Sequence, residues 1–217
     1  MNPRDIRIRP YRREDRAAVR EICLQTADRG APVEHLYSDR EFVADLLTRY
    51  YTDFEPGYSW VGTDGDSVVG YLMGAPDTDR QQRTLALRIG PSAILRAIAR
   101  GALFRAETWR MLRAARWNGR QIRRAAPALA AYPANLHIDI FDAYRARHLG
   151  ARLVATFLPR LQQHGIPGVR ATVRADNPGA CRFFERMGFS PAVKYAMTWP
   201  VQGAVQNVET IVYARRL

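Results

Sequence analysis

Apolar residues alternate with charged ones at the start of the chain, where Ile6, Ile8 and Pro10 flank Arg7 and Arg9, and this period of two predicts a first strand. The interval then lengthens. From Arg13 to Asp28 the apolar positions Ala17, Ala18, Val19, Ile22, Cys23 and Ala27 approach helical spacing, and Gly30-Ala31-Pro32 stops the run. A second helix is predicted from Ser38, an N-cap with Glu41 three residues on, through Phe42, Leu46, Leu47 and Tyr50. After Glu55-Pro56-Gly57, residues 58–62 and 68–74 read as a hairpin closed by Asp64-Gly65. In the second half, residues 136–141 form a short apolar run. A helical stripe follows, made of Leu149, Leu153, Val154, Phe157, Leu158 and Leu161, and Gly165 ends it. Residues 169–174 alternate again. Asp176-Asn177-Pro178 opens another helix with Ala180, Phe183, Phe184 and Met187 on its apolar side, ending at Gly188. Residues 193–199 and 208–214 complete the pattern as antiparallel strands. The sum is an α/β chain with a central βαβα unit over residues 136–188.

Between the halves lies a different kind of segment. Leu85, Leu87, Ile89, Ile94, Leu95, Ile98, Leu103, Phe104, Met111, Leu112 and Trp117 recur at helical intervals, with breaks predicted near Gly90-Pro91 and Asn118-Gly119. One or two amphipathic helices are expected. Charge singles this segment out: residues 80–124 hold twelve arginines against one acid, Glu107, so they carry eleven of the chain's twelve net positive charges. The plain expectation is a helical pair with an apolar face on the core and arginines in solvent. A lid over a site, or an acidic partner for the basic helices, is the functional alternative. Nucleic acid and membrane are disfavoured though left open, because no nucleic-acid-binding signature accompanies the charge. A homodimer is also left open.

The 217 residues suit one domain, 1–217, with a helical insertion over 80–130. No stretch is long and apolar enough to span a bilayer and the first ten residues lack the apolar core of a signal peptide, so a cytoplasmic protein is expected. Cys23 and Cys181, far apart and without metal-ligand spacing, read as reduced thiols, and no metal is expected.

Candidate chemistry concentrates in residues 134–150. The apolar run Leu136, Ile138, Ile140 and Phe141 ends in a loop with Arg145 and Arg147, and a helix begins near His148. The first N–H groups of a helix lack intrahelical partners and carry partial positive charge, so a phosphate can sit there. An ordinary βα turn with solvated arginines is the alternative on this stretch alone.

Two blocks taken together decide between them. Residues 136–150 read Leu-His-Ile-Asp-Ile-Phe-Asp-Ala-Tyr-Arg-Ala-Arg-His-Leu-Gly, and residues 168–189 read Gly-Val-Arg-Ala-Thr-Val-Arg-Ala-Asp-Asn-Pro-Gly-Ala-Cys-Arg-Phe-Phe-Glu-Arg-Met-Gly-Phe. They resemble the GNAT superfamily of N-acetyltransferases: the first its acyl-CoA strand and pyrophosphate loop, Gln/Arg-x-x-Gly-x-Gly/Ala, the second its Asn-x-x-Ala-x-x-Phe-Tyr-Glu-x-x-Gly-Phe. The Leu-His-Ile-Asp strand and Ala-Asp-Asn are also similar to the branch containing the acetyltransferase-like domain of O-GlcNAcases. The resemblance implies a mixed, mostly antiparallel twisted sheet flanked by helices, here with the basic insertion between strands 3 and 4. It implies direct transfer of an acyl group from a CoA thioester, acetyl-CoA foremost, to the amine of a small molecule or peptide. Backbone groups of Ile138, Asp139 and Ile140 would hold the pantetheine amides and thioester carbonyl. Arg145, Ala146, Arg147, His148, Leu149, Gly150 and Ala151 would wrap the pyrophosphate, Asn177 would hold the pantetheine arm, and Phe184 would border it.

Three departures bear on the chemistry. His148 stands where the loop usually has glycine, Phe184 where a tyrosine is proposed to protonate the leaving thiolate, and Thr172 where several members place a glutamate base. Asp139 and Asp176 are the substitute candidates for proton transfer. His137 shares a strand face with Asp139, two residues away. The structural alternative is a carboxylate satisfied by its neighbours and a buried, hydrogen-bonded histidine. Tyr144 and Tyr195 are candidate acids for which core packing is the simpler role. A CoA-binding module that has lost its chemistry is the competing function, motivated by Phe184 and Thr172.

Overall fold

In the computed structural model, which describes residues 6–26, 28–32, 39–101, 106–145, 147–201 and 204–217, the alternating stretches become strands of one sheet. They are β1 (Arg7–Pro10), β2 (Ser59–Asp64), β3 (Ser67–Ala75), β4 (Ala134–Ile140), β5 (Gly168–Arg174), β6 (Ser190–Val201) and β7 (Ala204–Arg216), in the spatial order β1-β2-β3-β4-β5-β7-β6. Neighbours run antiparallel except β4 and β5, which are parallel. The mixed, mostly antiparallel sheet expected from the sequence is therefore present.

Helices α1 (Arg16–Thr26) and α2 (Arg40–Arg49) cover one face, burying Val19, Ile22 and Cys23, with Tyr50 and Tyr51 just beyond α2, against Val61, Tyr71 and Met73. The predicted cap Ser38 lies outside the described residues. Asp39 caps α2 instead, accepting from the Phe42 N–H at 3.0 Å. The opposite face is taken by α7 (Leu149–Gln163), whose Leu153, Val154, Phe157 and Leu161 pack on Leu72, Leu136, Val169 and Ala171. Each such side chain, fully buried, contributes about 1.5–3 kcal/mol.

The connection from β3 to β4 carries α3 (Thr78–Thr84), α4 (Gly90–Ala99) and α5 (Ala106–Ala125). Its neck is closed by the Thr78 N–H donating to the Pro133 carbonyl at 2.8 Å. Helix α4 sets Ala93 and Ala97 on Phe42 of α2, and Met111 of α5 joins that cluster. Two insertion arginines, themselves exposed, also pair with acids: Arg96 with Asp45, and Arg100 with Asp39 at 2.7 Å. At its other end α5 lies along β6, where the Asn118 amide donates to the Thr198 carbonyl at 2.9 Å and accepts from the Thr198 N–H at 2.7 Å. Asn118-Gly119, expected to break the segment, sits inside the continuous α5. The Asn118 bonds to β6 hold the helix through a glycine that costs only about 1 kcal/mol relative to alanine. Gly90-Pro91, also expected to break the segment, does not: a π-helical turn over Leu85–Ile89 leads from α3 straight into α4, and Pro91 follows that wider turn. Leu103 and Phe104 lie outside the described residues.

Candidate active site

The parallel junction of β4 and β5 is two residue pairs long, Ala134 with Val169 and Asn135 with Arg170. By contrast β4 pairs with β3 from Asn135 to Ile140, and β5 pairs with β7 along all seven residues. Beyond Asn135 the two strands part, so the β4 backbone of residues 136–140 presents its β5-facing edge without a strand partner. A wedge opens between them toward their C-terminal ends. Thr172, central in β5 and in the middle of the sheet, is exposed. Ile138, Asp139 and Ile140 lie on the parted stretch.

After β4 the chain makes one helical turn, α6 (Asp142–Arg145), that the sequence pattern did not announce. Arg145 folds back to donate to the Ile140 carbonyl at 3.1 Å and pairs with Asp142 at 2.6 Å, while the Arg147 guanidinium stacks 5.0 Å from the centre of the Tyr144 ring. Ala146 is outside the described residues. His148 takes φ +56°, the left-handed conformation that glycine adopts freely, and its side chain caps nothing. The family's glycine at this position thus has a backbone reason, and histidine here adopts the same conformation under strain. Two close approaches fix the helix start behind it. A Cβ on Gly62 would fall 2.7 Å from a Leu149 methyl, and one on Gly150 would fall 3.1 Å from the Phe183 ring. The N–H groups of Leu149, Gly150 and Ala151 form the first turn at the mouth of the wedge.

Polar side chains gather on the face of β4 covered by α1 and α2. Asp139 accepts from the Tyr71 hydroxyl at 2.7 Å, and its Oδ2 lies 3.1 Å from His137 Nε2. Burial and the Asp139 charge hold the Tyr71 hydroxyl well above its ordinary pKa, so it stays a donor. Lower on the strand, Asn135 donates to Gln81 Oε1 at 2.5 Å and accepts from the Tyr51 hydroxyl at 3.0 Å, which itself accepts from Gln81 at 2.7 Å. Of these partners the sequence reading missed Tyr71, Tyr51 and Gln81. A tyrosine within the Gly-Tyr-Leu-Met-Gly run of a central strand is the one available signal, since a buried hydroxyl needs a partner. Cys23 Sγ, a His137 ring nitrogen and an Asp139 oxygen come within 4.8 Å of one another, close enough to consider a metal. Burial and the neighbouring Asp139 push the Cys23 thiol pKa upward, so the sulfur keeps its proton.

The remaining candidates sit on the β5 side. Asp176 accepts from Arg174 at 2.7 and 2.9 Å and lies 3.4 Å from Arg29, and the Arg174 bonds foremost hold its carboxyl below the ordinary range. Among the described residues its partners are these arginines, not His137 or Asp139. Asn177 caps α8 (Pro178–Arg186), its Oδ1 accepting from the Ala180 N–H at 3.1 Å, which leaves its amide N–H groups for another partner. Phe184 is buried in an aromatic group with Phe183, Phe189 and Tyr213. Tyr144 donates to Asp64 at 2.9 Å, and Tyr195 packs beside Val212 and Leu129.

The model of the Acetyltransferase (GNAT) family matches residues 135–189. A mycothiol acetyltransferase of Brachybacterium faecium is 35% identical over 69 residues, 31% of this chain, and the match spans only 21% of that relative. Among solved structures, one named SsHAT superposes with a TM-score of 0.74 at 28% identity, covering 98% of each chain. YncA of Salmonella typhimurium, described as a putative acetyltransferase with its cofactor acetyl-CoA, shares the fold at a TM-score of 0.59 and 12% identity, over 98% of this chain and 94% of its own. No helix among the described residues is long and apolar enough to cross a membrane. The matched residues are those from which the parted strands and both helix starts beside them are built, and over them the chain matches the model of the GNAT acetyltransferase family.

Proposed function

We propose that this protein transfers an acetyl group from acetyl-CoA directly to an amine. The observation that carries the reading is the two-pair junction of β4 and β5, because a thioester arm needs an unpaired strand edge to hydrogen-bond its amides and carbonyl. The backbone of residues 138–140 supplies that edge. An N–H aimed at the thioester oxygen stabilises the tetrahedral oxyanion, a contribution of about 3 kcal/mol per donor. The N–H groups of Leu149, Gly150 and Ala151 hold the pyrophosphate with help from the partial charge of the α7 terminus, and Arg145 and Arg147 stand beside them. Asn177 turns its free amide N–H groups to the pantetheine arm.

The amine approaches from the face that carries His137 and Asp139. His137 Nε2 lies 3.1 Å from Asp139; in the tautomer with its proton on that nitrogen, Nδ1 carries the lone pair that takes the amine proton. Asp139, fixed by Tyr71, orients the ring and stabilises the imidazolium. The N–C bond forms, the C–S bond breaks, and CoA leaves as a thiolate, a good enough leaving group to be protonated by water where Phe184 has no hydroxyl. The basic insertion borders the acceptor side.

Calorimetry with acetyl-CoA, followed by thiol release over a panel of amines, tests this. One-to-one binding and turnover on at least one amine is the expected result. Failure to bind any CoA species overturns the reading, and binding without turnover on any amine selects the module that has lost its chemistry.

A further inference from the structure

The polar face of the sheet also describes the acceptor. On β5, Val169, Ala171 and Val173 pack toward α7, so Arg170, Thr172 and Arg174 project from the other side. Helices α1 and α2 cover β3 on that side, while Ala125 at the end of α5 and Leu129 beyond it cover β6 and β7 through Val193, Tyr195 and Val212. Arg170, Thr172 and Arg174 form the floor of the groove between these two walls.

The two ends of that floor differ. Arg174 at the open end is satisfied by Asp28 at 3.2 Å and Asp176 at 2.7 Å. Arg170 lies at the closed end, level with Asn135, and is half-buried. Among the described residues its hydrogen bonding is a single 3.5 Å contact from Nη1 to the Leu129 carbonyl, and no carboxylate is in ion-pair range. Asp79 and Tyr195 act on it only from a distance, and burial pushes its pKa down. A guanidinium remains protonated even so, which leaves a fork of five N–H donors with one weak partner. A partly desolvated charge in that state is under-paired, and an oxyanion is the ligand that the fork geometry fits.

We infer that the acceptor is an amine that also carries an oxyanion, a carboxylate or a phosphate, and that Arg170 binds this anion at the closed end of the groove while the amine reaches His137. The inference rests on the acetyltransferase reading. Arg170 is two residues below the level of His137, about 7 Å along the strands, a gap that a small amino acid and the arginine's own reach together span. A polyamine would instead place a second cation beside Arg170, and the like charges would repel.

The test compares matched acceptors on the wild-type protein: amino acids against their carboxamides, and aminoethyl phosphate against ethanolamine. The anionic member should have the higher kcat/KM by roughly ten- to a hundredfold, and the pair with the larger ratio identifies the anion. Arg170→Met should bring that ratio close to one with the acetyl-CoA dissociation constant unchanged, and Arg170→Lys should retain part of it. A wild-type ratio near one for both pairs overturns the inference without touching the acetyltransferase reading, and so does a ratio that Arg170→Met leaves intact. Should Arg170→Met not fold, the wild-type ratios and Arg170→Lys still decide. Absence of CoA binding by the wild type overturns the acetyltransferase reading itself, and the inference with it.

Discussion

The two sides of β4 and β5 are built from alternate residues of the same seven-residue strands, yet they do opposite things. Toward α7, Leu136, Ile140, Val169, Ala171 and Val173 join a continuous apolar core. Toward α1 and α5, Asn135, His137, Asp139, Arg170, Thr172 and Arg174 form hydrogen bonds, ion pairs and an open floor. One side holds the strands together where they pair and anchors α7 where they part. The other side can therefore afford a gap. A parting of two central strands would be destabilising if both faces depended on sheet pairing, but α7 keeps its grip on each strand separately.

That division of labour can be broken by substitution. The largest effect is expected at Asp139: Asp139→Asn should lower kcat by roughly 10²–10⁴-fold, the span of general acid–base catalysis. Acetyl-CoA affinity by calorimetry and the thermal midpoint should both stay close to wild type, and an unchanged kcat would remove the His137–Asp139 pair from the mechanism. On the opposite side, Phe157→Ala should cost about 3–5 kcal/mol in urea unfolding through the cavity it leaves. Thr172→Ala, on the exposed floor, should change stability by less than about 0.5 kcal/mol. Equal losses at the two positions would mean that the faces are not divided as described. The smallest effect has the opposite sign. His148→Gly relieves a left-handed residue and should raise stability by up to about 1 kcal/mol, read as a higher thermal midpoint. A fall would show that the imbalance of backbone strain is offset by contacts of the imidazole.

Much of this was written in the periodicity. The period-two runs and helical stripes located the sheet, α7 and α8, and the paired blocks around Asp139 and Asn177 fall in the stretch that the GNAT family model matches. Less legible were features that depend on partners distant in sequence. Asp39 is as good a capping residue as Ser38 beside it, so sequence alone does not single out the one that accepts from the Phe42 N–H. The length of α5 depends on Asn118 meeting Thr198, eighty residues later, which no local rule about Asn-Gly anticipates. The strands after residue 189 run longer than their apolar cores, to Ser190–Val201 and Ala204–Arg216, because hairpin pairing extends past the buried positions. Asp139 was legible as a candidate, but its partner Tyr71 was not, since the two are 68 residues apart. Arg170 looked like any arginine in a basic chain until its surroundings showed how little holds it.

The Asn118 bonds to β6 have a further consequence for association between molecules. Strand β6 ends the sheet on one side, and an outermost strand with bare amides is a template on which a second chain can add itself. Asn118 fills the bonding positions of Thr198 with its own amide, and α5 lies along the strand that a newcomer would need. The other outermost strand, β1, is only four residues long and ends in Pro10. Runaway sheet growth is thereby blocked at both margins, and stacking copies edge to edge would require α5 to be peeled away first.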